Sequence, residues 1–183
     1  MSKDPDERLV RASRNGDRVA FETLLARYER PVFNVAMRML RHPEDARDVT
    51  QATFLKAFEK LDQFDFGHRF YSWIYRIAIN ESIDFLHRRQ RYAPLEDGDE
   101  GVDETCDPPG AYDSEQLSRR VQAAMMKLSP DHRAVLTLRH FTGCSYQDIA
   151  GILDIPEKTV KSRLFTARQV LRGHLEDDGT GGP

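Results

Sequence analysis

Residues 145–171, SYQDIAGILDIPEKTVKSRLFTARQVL, constrain this chain more than any other stretch, because they read as two helices joined by a tight break. In the first, Ile149, Ala150 and Leu153 face inward at helical spacing. Asp154-Ile155-Pro156 ends it, and Pro156 is tolerated near the first turn of the next helix, where its missing N–H is not needed. In that second helix Val160, Leu164, Ala167 and Leu171 form one apolar stripe. Lys158, Thr159, Lys161, Ser162, Arg163, Phe165, Thr166 and Arg168 are left facing out. These side chains can reach phosphates and base edges when a recognition helix enters a major groove. A basic amphipathic helix can also be no more than a solvated surface, but the break between two striped helices favours DNA binding.

The remaining periodicity is helical too. Asn15-Gly16-Asp17 ends one short helix and caps the next. Leu24, Leu25, Tyr28, Val32, Val35, Ala36, Met39 and Leu40 hold a helical period, with Pro31 expected to kink or break it. His42-Pro43-Glu44-Asp45 opens another helix, with acids where the macrodipole favours them. Val49, Ala52, Phe54, Leu55, Phe58 and Leu61 give it an apolar face. Phe70 to Leu86 repeats the pattern, with Trp73 expected in the core, and ends in the basic run 87–91. Further helices are expected from about Tyr112 to Leu128 and from Ser129-Pro130 to Phe141. No segment alternates with a period of two long enough to argue for a strand. The expected fold is all-α, with two small helical domains.

The net charge of −3 conceals a partition. Residues 1–91 carry +3, residues 115–175 carry +5, and residues 92–114 contain eight acids and no Lys or Arg. Two basic blocks thus flank an acidic, Pro- and Gly-containing stretch with the composition of a flexible linker. Its role as a plain spacer and a more specific one both remain open. Expected boundaries are 1–91 and 112–175 for the domains, 92–111 for the linker and 176–183 for a disordered tail.

The segment 69–91 interleaves Phe70, Tyr71, Trp73 and Tyr75 with Arg69, Arg76, Arg88, Arg89 and Arg91. Aromatic faces beside cations suit unpaired bases on a phosphate backbone. Phe70, Trp73, Ile74 and Ile77 share one face and read as core, whereas Tyr71, Tyr75 and Arg76 fall nearer the other side. Asn80, at an expected helix end, could read a flipped base by its amide.

With these residues in view, the chain resembles the extracytoplasmic-function (group 4) sigma factors of bacterial RNA polymerase, in the sigma-70 family. WIYRIAIN is similar to that family's W-L-Y-R-I-A-x-N signature, and DARDVTQATFLKAF (Asp45 to Phe58) to its region 2.2 helix. Leu128 to Leu171 is similar to its region 4. The likeness covers about residues 7–91 and 112–172 in order. It implies a region 2-like bundle that binds core polymerase through Asp45, Asp48, Gln51, Phe54 and Lys56. It further implies capture of a melted minus-ten element by Tyr71, Tyr75, Arg76, Asn80, Arg88, Arg89 and Arg91, on helices of Phe70–Asn80 and Glu81–Arg91. A region 4-like domain would read the duplex minus-thirty-five element through Lys158, Thr159, Lys161, Ser162, Arg163, Phe165 and Arg168. Core RNA polymerase, promoter DNA in duplex and melted form, and an anti-sigma factor are the implied partners, and a stress response the implied setting. Two positions depart from the pattern: Ala52 stands where the family often has Glu, and Thr166 where it usually has a basic residue.

Other classes fit less well. The six histidines form no HExxH or His/Cys metal spacing, and no Gly-rich phosphate loop occurs, so no catalytic residue, metal or cofactor is expected. No run approaches the ~20 apolar residues of a membrane span, and the N-terminus has no signal-peptide core. Cys106 and Cys144 form no CxxC pair, which fits a reducing, cytoplasmic setting without membrane insertion. The alternative is a helix-turn-helix regulator binding an operator as a dimer. It leaves WIYRIAIN and the acidic stretch unexplained.

Overall fold

A computed structural model describes residues 5–92 and 112–177, and these are helical without a strand among them. The proposed linker core (93–111) and the last six residues of the proposed tail (178–183) lie outside the described residues. The first set of helices is α1 (Glu7–Arg14), α2 (Arg18–Leu40), α3 (Pro43–Glu59) and α4 (Phe70–Tyr92), with a 3-10 turn at Leu61–Gln63. The second is α5 (Tyr112–Met126), α6 (Pro130–Leu136), α7 (Tyr146–Leu153) and α8 (Glu157–Asp177), with a π turn at Thr137–Phe141 after α6.

Local chemistry sets most boundaries. Gly16 takes φ +90° between α1 and α2, and the Asp17 side chain then accepts from the Ala20 N–H at 3.1 Å, capping α2. His42 caps α3, with Pro43 at its first turn. Ser145 and Asp148 form a reciprocal capping box on α7, entered through Gly143 at φ +72°. Asp154 ends α7 in the left-handed region at φ 55°, where a short polar side chain is tolerated.

Three expectations change. α2 continues through Pro31 without a break, because its packing on α1, α3 and α4 outweighs the lost hydrogen bond. α4 is one helix, so Asn80 lies in its middle rather than at an end. On α3 the buried face is Ala46, Val49, Thr50, Thr53, Phe54 and Ala57, while Leu55 and Phe58 are 62% and 60% exposed. The two threonine hydroxyls donate back to the Ala46 and Val49 carbonyls at 2.6 and 2.7 Å, which lets polar side chains sit in that core.

Phe70 anchors the first set: it is 1% exposed and meets Tyr28, Phe64 and Trp73 with ring centroids 5.3–5.9 Å apart. Trp73 packs against Phe64 but is only partly buried. Asp6, 1% exposed, accepts from Arg27 and the Tyr28 hydroxyl and so ties the start of α1 to α2.

The two sets do not stand apart. α4 packs on α7, and α2 packs on α6 and the π turn, within one continuous core. Arg133 of α6 is 4% exposed and its guanidinium links them. It donates to the carbonyls of Met125 and Leu128 at 3.1 Å, of Met126 at 2.8 Å, and of Met39 at the end of α2. Helix C-termini leave carbonyls without partners and carry the negative end of the macrodipole. One cation thus satisfies the ends of both α5 and α2. Burial lowers the Arg133 guanidinium to about 10, so it stays charged at neutral pH.

Candidate nucleic-acid interface

The helix-turn-helix is formed by α7 and α8. Ile149 and Ile152 of α7 and Val160, Leu164 and Ala167 of α8 are buried, which turns the opposite face of α8 outward. Lys158, Lys161, Ser162, Phe165 and Arg168 are exposed on it, Phe165 at 66%. Thr159 and Arg163 are half-buried. Arg163 pairs with Asp131 at 3.0 Å, fastening α8 to α6, so it is the least free cation of the set.

Lys161 pairs with Glu157 one turn earlier at 2.7 Å, and that hydrogen bond and charge raise its pKa. Arg168 lies 3.4 Å from His140 Nε2, and since a guanidinium has only donors, the imidazole accepts. Burial first, then Arg168 and Arg139, lowers the His140 pKa and keeps that acceptor neutral. Thr166 and Gln169 also face outward; Gln169 did not stand out in the sequence because no charge or aromatic group marks it.

Asp148 holds the first turn of α7. Burial raises its pKa, but hydrogen bonds from Ser145 and Tyr71 outweigh this and carry it below the ordinary 3.8. A depressed carboxylate contributes stability above its unfolded pKa and loses it as pH falls through the folded value. The stability gap between wild type and Asp148→Asn at pH 7 is therefore expected to close below about pH 4. Urea titrations of both proteins at stepped pH check this.

On α4, Asn80, Arg88, Arg89 and Arg91 are exposed, whereas Tyr71, Tyr75 and Arg76 are half-buried against the second set. The Tyr71 hydroxyl donates to Asp148 at 2.7 Å. Arg76 donates from Nε to the Ile152 carbonyl at 3.1 Å and from a terminal nitrogen to the Gly151 carbonyl. Tyr75 lies 6.1 Å from Tyr71, and burial beside Cys144 raises its pKa. The seven residues therefore divide into an open group of four and a covered group of three. Arg89 also reaches Asp45 at 3.3 Å.

The polymerase-facing expectations divide as well. Asp48 and Gln51 are exposed, and Asp45 is largely covered between His42 and Arg89. Lys56 is paired with Glu81, itself 8% exposed, fixing α3 to α4. Phe54, at 7% exposure, faces the core. The apolar groups that α3 presents are Leu55 and Phe58, the latter edge-on to Phe21 at 5.1 Å. Helical period alone misplaced them, since it finds apolar residues without telling which of two adjacent stripes is packed. Among the described residues no group of His, Cys, Asp or Glu could hold a metal, and no helix is long and apolar enough to cross a membrane.

Comparison with known proteins matches this arrangement. The family models for sigma-70 region 2 and sigma-70 region 4 match residues 24–92 and 118–171. The RNA polymerase sigma-H factor of Pseudomonas aeruginosa is 33% identical over 186 residues, covering 96% of each chain. The ECF RNA polymerase sigma-E factor of Escherichia coli K12 is 35% identical over 181 residues, covering 93% of this chain and 94% of that one. The solved structure of the sigma factor RpoE with the anti-sigma factor NepR, from Bartonella quintana, matches with TM-score 0.69 and 28% identity. That match covers 85% of this chain and 96% of the other.

Proposed function

The chain belongs to the extracytoplasmic-function sigma factors of the sigma-70 family, and from that premise we propose how its surfaces divide the work of promoter recognition. It is a sigma factor: it binds core RNA polymerase, directs it to specific promoters and helps open the minus-ten element. Its partners are core polymerase, promoter DNA and an anti-sigma factor. It works by binding, without catalytic chemistry or a cofactor of its own, in the cytoplasm where polymerase and promoter meet.

In this reading residues 1–91 hold polymerase and melted DNA, and residues 112–175 hold duplex DNA. The open face of α8 carries it: Lys158, Lys161, Ser162, Phe165 and Arg168 share one exposed surface, backed by a buried stripe. Lys and Arg contacts to phosphate supply affinity that falls steeply with salt, while Phe165 meets apolar base edges such as a thymine methyl. Asn80, Arg88, Arg89 and Arg91 line the approach of the melted strand along α4. Asp48 and Gln51, with Leu55 and Phe58 beside them, form the polymerase-facing side of α3. An operator-binding dimer is not favoured, since two domains that read two elements in one chain need no second copy.

Replacing Lys161 by Ala is expected to weaken promoter use by about 1–3 kcal/mol, or some 5- to 150-fold, if Lys161 meets a base. Transcription with core polymerase over promoter variants reads this. A loss confined to one base position marks a base contact, an even loss marks a phosphate contact, and an unchanged profile removes Lys161 from the surface.

A further inference from the structure

We propose that Gln169 is a specificity-determining residue of α8, taking an adenine in the major groove, with Thr166 beside it taking a thymine methyl. The minus-thirty-five element read by this chain is then A·T at both positions. This rests on the reading of α8 as the duplex-binding helix.

The packed stripe of α8 fixes which side chains can meet base edges. Val160, Leu164, Ala167 and Leu171 pack into the core at spacings of four, three and four. Two residues earlier in each case stand Lys158, Ser162, Phe165 and Gln169. A shift of two residues turns the helix by about 200°, so that row lies nearly opposite the stripe, and all four side chains are exposed. Thr166, also exposed, follows Ser162 by one turn. Counted from Ser162, the residues Phe165, Thr166 and Gln169 are offset by three, four and seven. That pattern presents one helix face to the base pairs of a groove. Gln169 still lies about two turns short of the α8 end at Asp177, so regular helix holds its backbone on both sides.

None of Ser162, Phe165, Thr166 and Gln169 carries a charge. Apart from Lys158 at the start of the row, the cations of this face lie to either side, and each is held by another side chain. Lys161 pairs with Glu157 at 2.7 Å, Arg163 with Asp131 at 3.0 Å, and Arg168 lies 3.4 Å from His140. Arg or Lys at the centre of the face would select guanine through O6 and N7, the commonest specific contact. Here the centre holds an amide, which matches adenine N6 and N7 in the same bidentate manner. Beside it stand a methyl and an aromatic ring, which match the thymine methyl. The Ser162 hydroxyl already donates to the Thr159 carbonyl at 3.0 Å, so it offers a base only an acceptor. Uncharged groups thus read sequence while the flanking cations hold phosphate.

The test uses holoenzyme assembled from purified core polymerase and the full chain, on promoter duplexes with the minus-thirty-five element randomised. Run-off transcripts are counted by sequencing. Wild type is expected to favour A·T at two positions of the element. Gln169→Ala is expected to lose a roughly 5- to 150-fold preference for adenine at one of them and to leave the rest unchanged. Gln169→Arg is expected to move the preference at that position to guanine. Thr166→Ser removes one methyl and is expected to cut the thymine preference at the other position about four-fold. Both residues are exposed, so melting temperatures are expected to match wild type. An even loss over all sequences, or preferences that no variant moves, overturns the inference. So does a position that Gln169→Ala relaxes but at which wild type selects a base other than adenine. Absence of any protein-dependent transcript overturns the sigma reading and this inference with it, whereas normal transcription that ignores both residues overturns this inference alone.

Discussion

Arg133→Ala is expected to be among the most damaging single substitutions, costing on the order of 3–5 kcal/mol, because a buried carbonyl left without its donor costs about 1–3 kcal/mol and Arg133 serves four. Its guanidinium reaches the carbonyls of Met125, Met126, Leu128 and Met39 from a side chain only 4% exposed. The surrounding core leaves those carbonyls buried, and the ends of two helices lose their cation together. Arg133→Met separates charge from volume, since it keeps much of the apolar stem; its loss is expected to stay close to that of alanine. Arg133→Lys is expected to fall between, as one ammonium cannot span the acceptors that a planar fork reaches. Urea unfolding reads the three losses. A Met variant as stable as wild type would show that the hydrogen bonds carry little of the effect.

Phe70→Ala is expected to cost about 3–5 kcal/mol by leaving a cavity where the ring now sits. Phe70 is 1% exposed and meets three other rings, from α2, from α4 itself and from the segment before α4. Losing it removes the surface on which α4 is seated, so both polymerase binding and strand capture are expected to fall with stability. Trp73→Ala, at a partly exposed position, is expected to cost less. Thermal melting of both variants tests the order. A larger loss at Trp73 would mean that its edge contact with Phe64 matters more than the burial of Phe70.

Features set by neighbouring residues were legible from the sequence. Asp17, His42, Ser129 and Asp154 each mark a helix end by chemistry within three or four residues, and the structure uses all four. The recognition helix was legible for the same reason, its apolar stripe and basic face being interleaved at one period. Features set by distant packing were not. Pro31 reads as a kink or a break, and that the helix continues through it follows only once the partners that hold α2 together are known. Phe54 and Leu55 are equally apolar neighbours, and only the packing of α3 against α2 and α4 decides that the first is buried and the second exposed. The pairing of Tyr71 with Asp148 spans 77 residues and leaves no local mark. Arg133 looks like one more surface cation in a basic block, because its four acceptors are backbone atoms that every sequence possesses.

The central claim is tested most directly by run-off transcription with purified bacterial core polymerase, with and without this protein, on a library of promoter fragments. The account predicts transcripts that depend on the protein and share a two-element motif. Failure to initiate on any fragment, together with tight binding of an operator by the protein alone, would contradict it.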